Sequence, residues 1–285
     1  MTTVAPSQKR SSGSTQRILL YVAVYALTLM WLVPIIAALI TSLRTNDDIL
    51  ARGFWSTPNV LTLKNFALAW TRGGLDRYLP NSFIITLPSL VFTLFLSSLG
   101  AYALSRFRFK FDRIVLFIFV AGMMLPFQIL LLPVFRLMNI IGLYNTYWAL
   151  IIFHTAFQLG FCTFVLRNYM RTIPGEILEA ARMDGCNEFR VYSQIMMPLT
   201  LPALAALATL EFTWIFNDFL WALILIQDDK LKPVTTGLAA LRGQYVMDWT
   251  VIIAGSLIAT VPTILVFLFL QRYFIAGLTL GATKG

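Results

Sequence analysis

Long apolar stretches without a charged residue constrain this chain more than any other feature. Five of them contain no Asp, Glu, Lys or Arg and run over Ile18–Leu43, Leu79–Leu104, Ile114–Phe135, Leu137–Leu166 and Trp249–Gln271. A helix of about 20 apolar residues crosses the roughly 30 Å hydrocarbon layer of a bilayer. Each stretch therefore predicts a transmembrane helix.

A sixth stretch, Val191–Ile226, is equally long but contains Glu211 and Asp218. We count it as a span, which predicts an all-α, polytopic membrane protein with six transmembrane helices. The composition agrees, because only 12% of the 285 residues are charged whereas soluble domains have about a quarter. The net charge of +9 does not have to be explained by nucleic-acid binding. In membrane proteins an excess of Lys and Arg marks the loops on the cytoplasmic side.

The positions of the cations predict the orientation. A dense basic cluster, Arg106–Arg113, lies in a short connection between two spans, and such clusters stay on the cytoplasmic side. Both termini are then cytoplasmic. Residues 1–16, rich in Ser, Thr and Gln, read as a disordered leader, and residues 17–285 as one transmembrane domain.

Two further segments outside the spans carry predictions. The outer loop, residues 44–78, is rich in aromatic residues, which favours an interfacial helix covering the bundle over a specific partner site. The C-terminal tail, residues 272–285, has no acidic residue. Its end, residues 277–285, is read from the sequence alone as a frayed terminus; the alternative, a second contact with a partner, comes from the family resemblance given below.

A cytoplasmic loop, residues 167–197, has the clearest local signals. Pro174 suits a helix start, Gly185 suits the left-handed residue that ends a helix, and Asn187 can cap a second helix. The sequence therefore predicts a short helix, a sharp bend and a second helix that leads into a span.

This loop resembles a known signature. Glu179-Ala180-Ala181, three residues, Gly185, nine residues, Ile195, one residue and Met197-Pro198 is similar to the EAA motif of the membrane subunits of binding-protein-dependent ABC importers. Met197 stands where that family usually has Leu. Further stretches resemble the carbohydrate branch, of the MalG type of maltose transporter subunit: Gly100–Phe107, Asn217–Trp221 and Gln271–Phe274.

The resemblance implies the type I ABC importer permease fold in a bacterial or archaeal inner membrane. It implies that the loop contacts a separate ATPase through Glu179, Ala180, Ala181, Arg182, Asp184 and Gly185. A solvated amphipathic connector is the alternative. The implied partners are a second homologous permease, two ATPase subunits, an extracytoplasmic solute-binding protein and membrane lipid.

The chain itself is not expected to be an enzyme. It contains no G-x-x-x-x-G-K-[ST] phosphate loop, so we expect ATP and Mg²⁺ on the partner ATPases and no cofactor here. Two cysteines and one histidine do not make a zinc site, so no metal is expected either.

Polar and aromatic residues within the spans are candidates for a solute path, because charged groups in a bilayer usually face a bundle interior or a watery cavity. They are Gln128, His154, Gln158, Glu211, Trp214 and Asp218. Pairing between helices for packing is the alternative for each of them. A bridge between His154 and Glu211 is a specific hypothesis from their expected depth.

The principal interpretation is one half of the pore of a carbohydrate ABC importer. Import of glycerol-3-phosphate or another polar solute by the same machinery is an alternative. An ion-driven secondary transporter would need Glu211 to titrate. An intramembrane enzyme using Glu211, Asp218 and His154 lacks a paired metal or nucleophile motif.

Overall fold

A computed structural model describes the backbone of residues 13–244 and 248–282 and the side chains of residues 16–240 and 248–273. Within these ranges every regular element is helical. The α-helices are α1 (Gly13–Ser42), α2 (Asn46–Arg52), α3 (Lys64–Thr71), α4 (Leu75–Arg106), α5 (Asp112–Met123), α6 (Leu131–Ile140), α7 (Tyr147–Met170), α8 (Gly175–Met183), α9 (Glu188–Arg190), α10 (Met197–Phe216), α11 (Leu220–Leu225), α12 (Val234–Gln244) and α13 (Trp249–Ala282).

In the part of the chain that the structure describes, five helical segments are long and apolar enough to cross a membrane: Gln16–Ser42, Leu75–Arg106, Tyr147–Met170, Glu188–Phe216 and Trp249–Tyr273. A sixth span is possible only if a bent pair, α5 with the segment Phe127–Ile140, counts as one. The predicted all-α, multi-span class is confirmed. The central packing is between α4, α7 and α10, while α1 is exposed along most of its length and contacts α13.

The third predicted span is not a straight helix. Its two halves meet at 94° across a short break, where Pro126 precedes a 3₁₀ turn from Phe127 to Leu130. Proline cannot donate a backbone hydrogen bond and disfavours helical geometry in the residue before it. The continuous apolar run therefore does not make a continuous helix.

Two other predicted boundaries shift for similar local reasons. The fourth span begins at Tyr147 and not at Leu137, because α6 continues to Ile140 and a turn follows. Gly142 and Asn145 both have positive φ angles in that turn, of 72° and 59°. The span predicted over Val191–Ile226 ends at Phe216. The chain bends there before α11, so Asp218 is outside the long helix.

The predicted leader and tail are partly helical. Helix α1 begins at Gly13, inside the predicted leader, and residues 1–12 lie outside the described residues. At the other terminus α13 continues to Ala282, so most of the predicted tail continues the last helix. Residues 283–285 lie outside the described residues.

A fully buried arginine organises the predicted outer loop. The Arg44 side chain has no exposure, and its Nε lies 2.7 Å from Asp48 Oδ2. Its Nη1 donates to the backbone oxygens of Gly53, Phe54 and Ser56. One guanidinium therefore satisfies several carbonyls of an irregular segment, which is how a loop between a long helix and α3 keeps one conformation.

Candidate functional site

The short helix predicted in the loop 167–197 is α8, and its ends follow the sequence signals. Pro174 precedes it as the N-cap residue, and Gly185 follows it with a φ angle of +83°. The Asn187 side chain accepts a hydrogen bond from the Arg190 backbone N–H at 2.9 Å. The predicted helix, bend and second helix are therefore confirmed.

Helix α8 is attached to the bundle by a buried face. Leu178 and Ala181 are buried in one apolar cluster with Met170, Val191 and Met196. Burying a side chain of leucine size contributes about 2 kcal/mol. The helix is therefore packed against the spans rather than solvated on all sides.

Polar contacts brace the same helix against α4. Arg106, at the end of α4, donates to the carbonyl oxygens of Met170 and Ile173 in the turn that leads to α8. The Tyr102 hydroxyl donates to Glu188 Oε2 at 2.7 Å. Arg182 Nε donates to Glu188 Oε1 at 2.7 Å, and this hydrogen bond raises the pKa of the guanidinium. A displacement of α8 would therefore pull on a membrane helix.

The opposite face of α8 is exposed and partly apolar. Ala180 and Met183 lie on it with Glu176, and the exposed Ile177 lies at its edge, one helical turn from Ala181; Met183 is 88% exposed. Phe189, just beyond the bend, is 72% exposed. Large apolar side chains that project into solvent from a short helix are typical of a surface that a partner covers.

The residues of the EAA resemblance divide between these faces. Ala180 and Asp184 are exposed, whereas Ala181 is buried against the bundle. Glu179 and Arg182 line a cavity beside the spans. Gly185 supplies the left-handed turn. The methyl group of Ala181 packs inward, so this residue belongs to the face of α8 that meets the bundle.

A second group of polar residues lies in the middle of the bundle. Glu211 on α10 has no solvent exposure, and its Oε1 accepts a hydrogen bond from the Cys162 thiol of α7 at 3.2 Å. Its Oε2 has no hydrogen-bond partner among the described residues. The carboxyl group is thus enclosed between two helices.

His154 pairs with a different carboxylate from the one we expected. Its Nε2 lies 3.6 Å from Asp218 Oδ2, whereas Glu211 contacts Cys162. The bend after Phe216 brings Asp218 next to His154. Because α7 begins only at Tyr147, His154 lies two turns from the start of that helix. In this structure the hypothesised His154 to Glu211 bridge is replaced by these two pairs.

Asp218 also holds the bend itself. Its Oδ2 accepts from the backbone N–H of Ala222 at 3.0 Å, which caps α11, and its backbone oxygen accepts from the Thr235 hydroxyl at 2.6 Å. A cavity of about 10 Å³, lined by His154, Asp218 and Thr86 among others, lies beside it. This volume matches about one water molecule.

The other candidates for the solute path are scattered. Gln128 is exposed in the turn at the 94° bend, and Gln158 is buried within α7. Trp214 is 46% exposed and packs against Phe161. Trp221 is buried with its ring centroid 3.7 Å from that of Phe153. On one continuous helix Glu211, Trp214, Asp218 and Trp221 would share one inward-facing side, but they do not, because α10 ends before Asp218.

Comparison with known proteins decides the family. Residues 94–279 match the model of the binding-protein-dependent transport system inner membrane component. The chain belongs to this permease family. The permease is thus a multi-pass inner-membrane component of an ABC transporter, as the resemblance implied.

Relatives match the permease over most of its length. It is 37% identical over 268 residues to the probable ABC transporter permease protein YurM of Bacillus subtilis, which covers 93% of this chain and 86% of that protein. It is 36% identical over 255 residues to the arabinooligosaccharides transport system permease protein AraQ of Halalkalibacterium halodurans, covering 88% and 91%.

Solved structures give the same fold. A chain of a bacterial ABC transporter involved in the import of the acidic polysaccharide alginate has a TM-score of 0.80 at 25% identity, covering 95% of the permease and 100% of that chain. A bacterial alginate ABC transporter in complex with an alginate pentasaccharide-bound periplasmic protein has a TM-score of 0.67 at 17% identity, covering 93% and 96%. The type I importer fold is confirmed.

Some residues of the permease site were missed from sequence. The exposed apolar side chains of α8 could have been found, because Ile177 and Met183 are unusual in a short helix outside the spans. A row of buried hydroxyls on α4 also has a helical spacing: Ser82, Thr86, Ser89, Thr93 and Ser97. The contact of Cys162 with Glu211 had no signal in the sequence, because it joins residues 49 positions apart.

Proposed function

We propose that this permease forms half of the translocation path of a carbohydrate importer and that α8 couples it to a separate ATPase. The single observation that carries the coupling is the two-sided construction of α8. One side is buried and braced to α4, and the other exposes Ile177, Ala180 and Met183. Such a helix can transmit a partner's movement to the spans.

The carbohydrate assignment is supported by similar proteins. AraQ is a permease of an arabinooligosaccharide transport system, and the alginate transporter imports a polysaccharide. Because its relatives handle chemically different saccharides, we propose the solute class and not a particular sugar. In this proposal the other partners are a second permease, two ATPases and a solute-binding protein.

ATP chemistry belongs to the partners in this proposal. The sequence has no phosphate loop, so ATP and Mg²⁺ would bind the ATPase subunits. The end of the bundle that carries α8 would face the cytoplasm, as the arginines of residues 106–113 favour. Both termini would then be cytoplasmic.

The solute path is proposed with fewer residues than the sequence suggested. Gln128 and Trp214 are the exposed candidates, whereas Glu211 is enclosed and Asp218 caps a helix. Enclosure supports the packing alternative for Glu211. It also disfavours an ion-driven transporter, in which the titrating group must exchange protons with water.

The coupling proposal is tested by Met183→Asp in the complete importer reconstituted in liposomes. The new carboxylate on an apolar contact should abolish ATPase co-purification or reduce binding-protein-dependent uptake at least tenfold, because desolvating it costs several kcal/mol. Met183→Leu is the matched control and should keep both activities. Full coupled uptake by Met183→Asp would contradict the proposal.

A further inference from the structure

A basic cavity lies between α8 and the ends of the spans, beside the contacts that brace α8 to α4, and the proposed function assigns no ligand to it. It has a volume of about 320 Å³. Five arginines line it: Arg106, Arg108, Arg167, Arg171 and Arg182. We propose that this cavity binds the phosphate group of an anionic phospholipid.

The charge balance of the cavity favours an anion. Among the described residues, two carboxylates, Asp112 and Glu179, line it with the five guanidinium groups, and Glu188 outside the lining pairs with Arg182, so the arginines still outnumber the carboxylates. Arg106 Nε is buried and has no hydrogen-bond partner among the described residues. An unpaired buried donor on a cation is costly, and a phosphate oxygen is a strong acceptor for arginine.

Two of the arginines have no described structural contact. Arg106, Arg167 and Arg182 donate to protein oxygens. In contrast, no side-chain hydrogen bond or ion pair is described for Arg108 or Arg171, and both are exposed. Their guanidinium groups are therefore available to a ligand without breaking a described contact.

The N-terminus of α8 adds to the positive electrostatic potential of the cavity. Gly175, the first residue of the nine-residue helix α8, lines the cavity. The first backbone N–H groups of a helix have no intrahelical acceptor and favour an anion. The cavity thus combines side-chain cations with the positive end of a helix dipole.

The neighbouring surface favours a lipid over a soluble phosphate or an acidic protein segment. Helix α5 starts beside the cavity at Asp112 and has no buried residue. Its side chains Ile114, Phe117 and Ile118 are more than half exposed, and Phe107 lines the cavity itself. Acyl chains can lie along this apolar face while the phosphate occupies the arginines, as basic pockets between spans do with headgroups.

The lipid site is separate from the face of α8 that we assign to coupling. Gly175, Leu178, Glu179 and Arg182 line the cavity, whereas Ile177 and Met183 project from the exposed side. A headgroup would therefore fill the space behind α8 without covering the surface that meets the ATPase.

The test uses the complete importer in an equimolar mixture of phosphatidylcholine and phosphatidylglycerol, with the lipids retained after purification counted by native mass spectrometry. The variant Arg108→Gln with Arg171→Gln should lower the ratio of bound phosphatidylglycerol to phosphatidylcholine by about 30-fold, at about 1 kcal/mol per arginine. Arg108→Lys with Arg171→Lys should keep most of the binding.

The matched control is Arg113→Gln with Arg190→Gln, which removes the same charge from residues that do not line the cavity. This control should leave the ratio unchanged. Equal ratios for the two glutamine variants would overturn the site, as would release of the lipid by millimolar inorganic phosphate. Loss of ATPase co-purification with unchanged lipid would show that the arginines bind a partner protein, and would also overturn it.

Discussion

Two glutamates of this permease have opposite surroundings, one at the surface beside α8 and one in the interior of the helix bundle. Glu188, beside α8, is half exposed and accepts hydrogen bonds from both Tyr102 and Arg182. Glu211, on α10, is fully buried and has one described partner, the weak thiol donor of Cys162. One carboxylate links Tyr102 of α4 to Arg182 of α8 at the surface, and the other is enclosed between spans.

The difference teaches which region tolerates change. At the surface, water replaces a lost partner, so a substitution near Glu188 should cost little stability but alter how α8 follows the spans. In the bundle interior nothing replaces a lost partner, so a substitution near Glu211 should act on stability first. The following predictions sharpen this contrast in order of decreasing effect on stability.

Glu211→Lys should have the largest effect. A lysine at this depth has no described carboxylate beside it, and a central cation costs about 3 kcal/mol on insertion scales. We expect little monodisperse importer after detergent extraction and size-exclusion chromatography. Glu211→Gln, which keeps the shape and an acceptor, should give near-normal yield and uptake; loss of uptake by this variant alone would support a titrating role instead.

Cys162→Ala should have an intermediate effect. It removes the donor to Glu211 Oε1 and should destabilise the permease by about 1 kcal/mol, since hydrogen bonds between membrane helices average less than soluble ones. Thermal unfolding of the purified complex measures this. Cys162→Ser should restore most of it. Cys186→Ala, at a partly exposed cysteine, is the control, and an equal shift for both alanine variants would refute the pairing.

Tyr102→Phe should change stability least and coupling most. Losing the hydrogen bond to Glu188 costs only about 0.5 kcal/mol, because water replaces the lost partner at this partly exposed site, but it loosens the brace between α4 and α8. We expect more ATP hydrolysed per solute imported in proteoliposomes, with the ATPases still bound. Tyr169→Phe, at the same end of the bundle, is the control; the same ratio in both variants would show that the brace has no part in coupling.

Features with local causes could be predicted from sequence. Pro174, Gly185 and Asn187 act on backbone within a few residues, so the ends of α8 and the bend after it were readable. The apolar runs likewise located five of the six predicted spans, and the sixth depends on counting the bent pair as one span. The break at Pro126 had a local signal too, but the continuity of the apolar run concealed its 94° angle.

Features that depend on packing could not be predicted. The depth of His154 depended on where α7 begins, and the position of Asp218 depended on the bend after Phe216. Because the ends of these two helices were misplaced, we predicted that His154 pairs with Glu211. In the structure His154 lies beside Asp218 and Glu211 contacts Cys162. The orientation of Ala181 was also a tertiary property, because α8 could have packed on either face.

The central claim is that the exposed apolar face of α8 contacts the ATPase. A photo-crosslinking amino acid at Met183, on that face, tests it most directly in the assembled importer, with Arg171, on the cavity side, as the comparison position. We predict a covalent product between permease and ATPase from position 183 and little from position 171. No ATPase product from position 183, or equal products from both positions, would contradict the account.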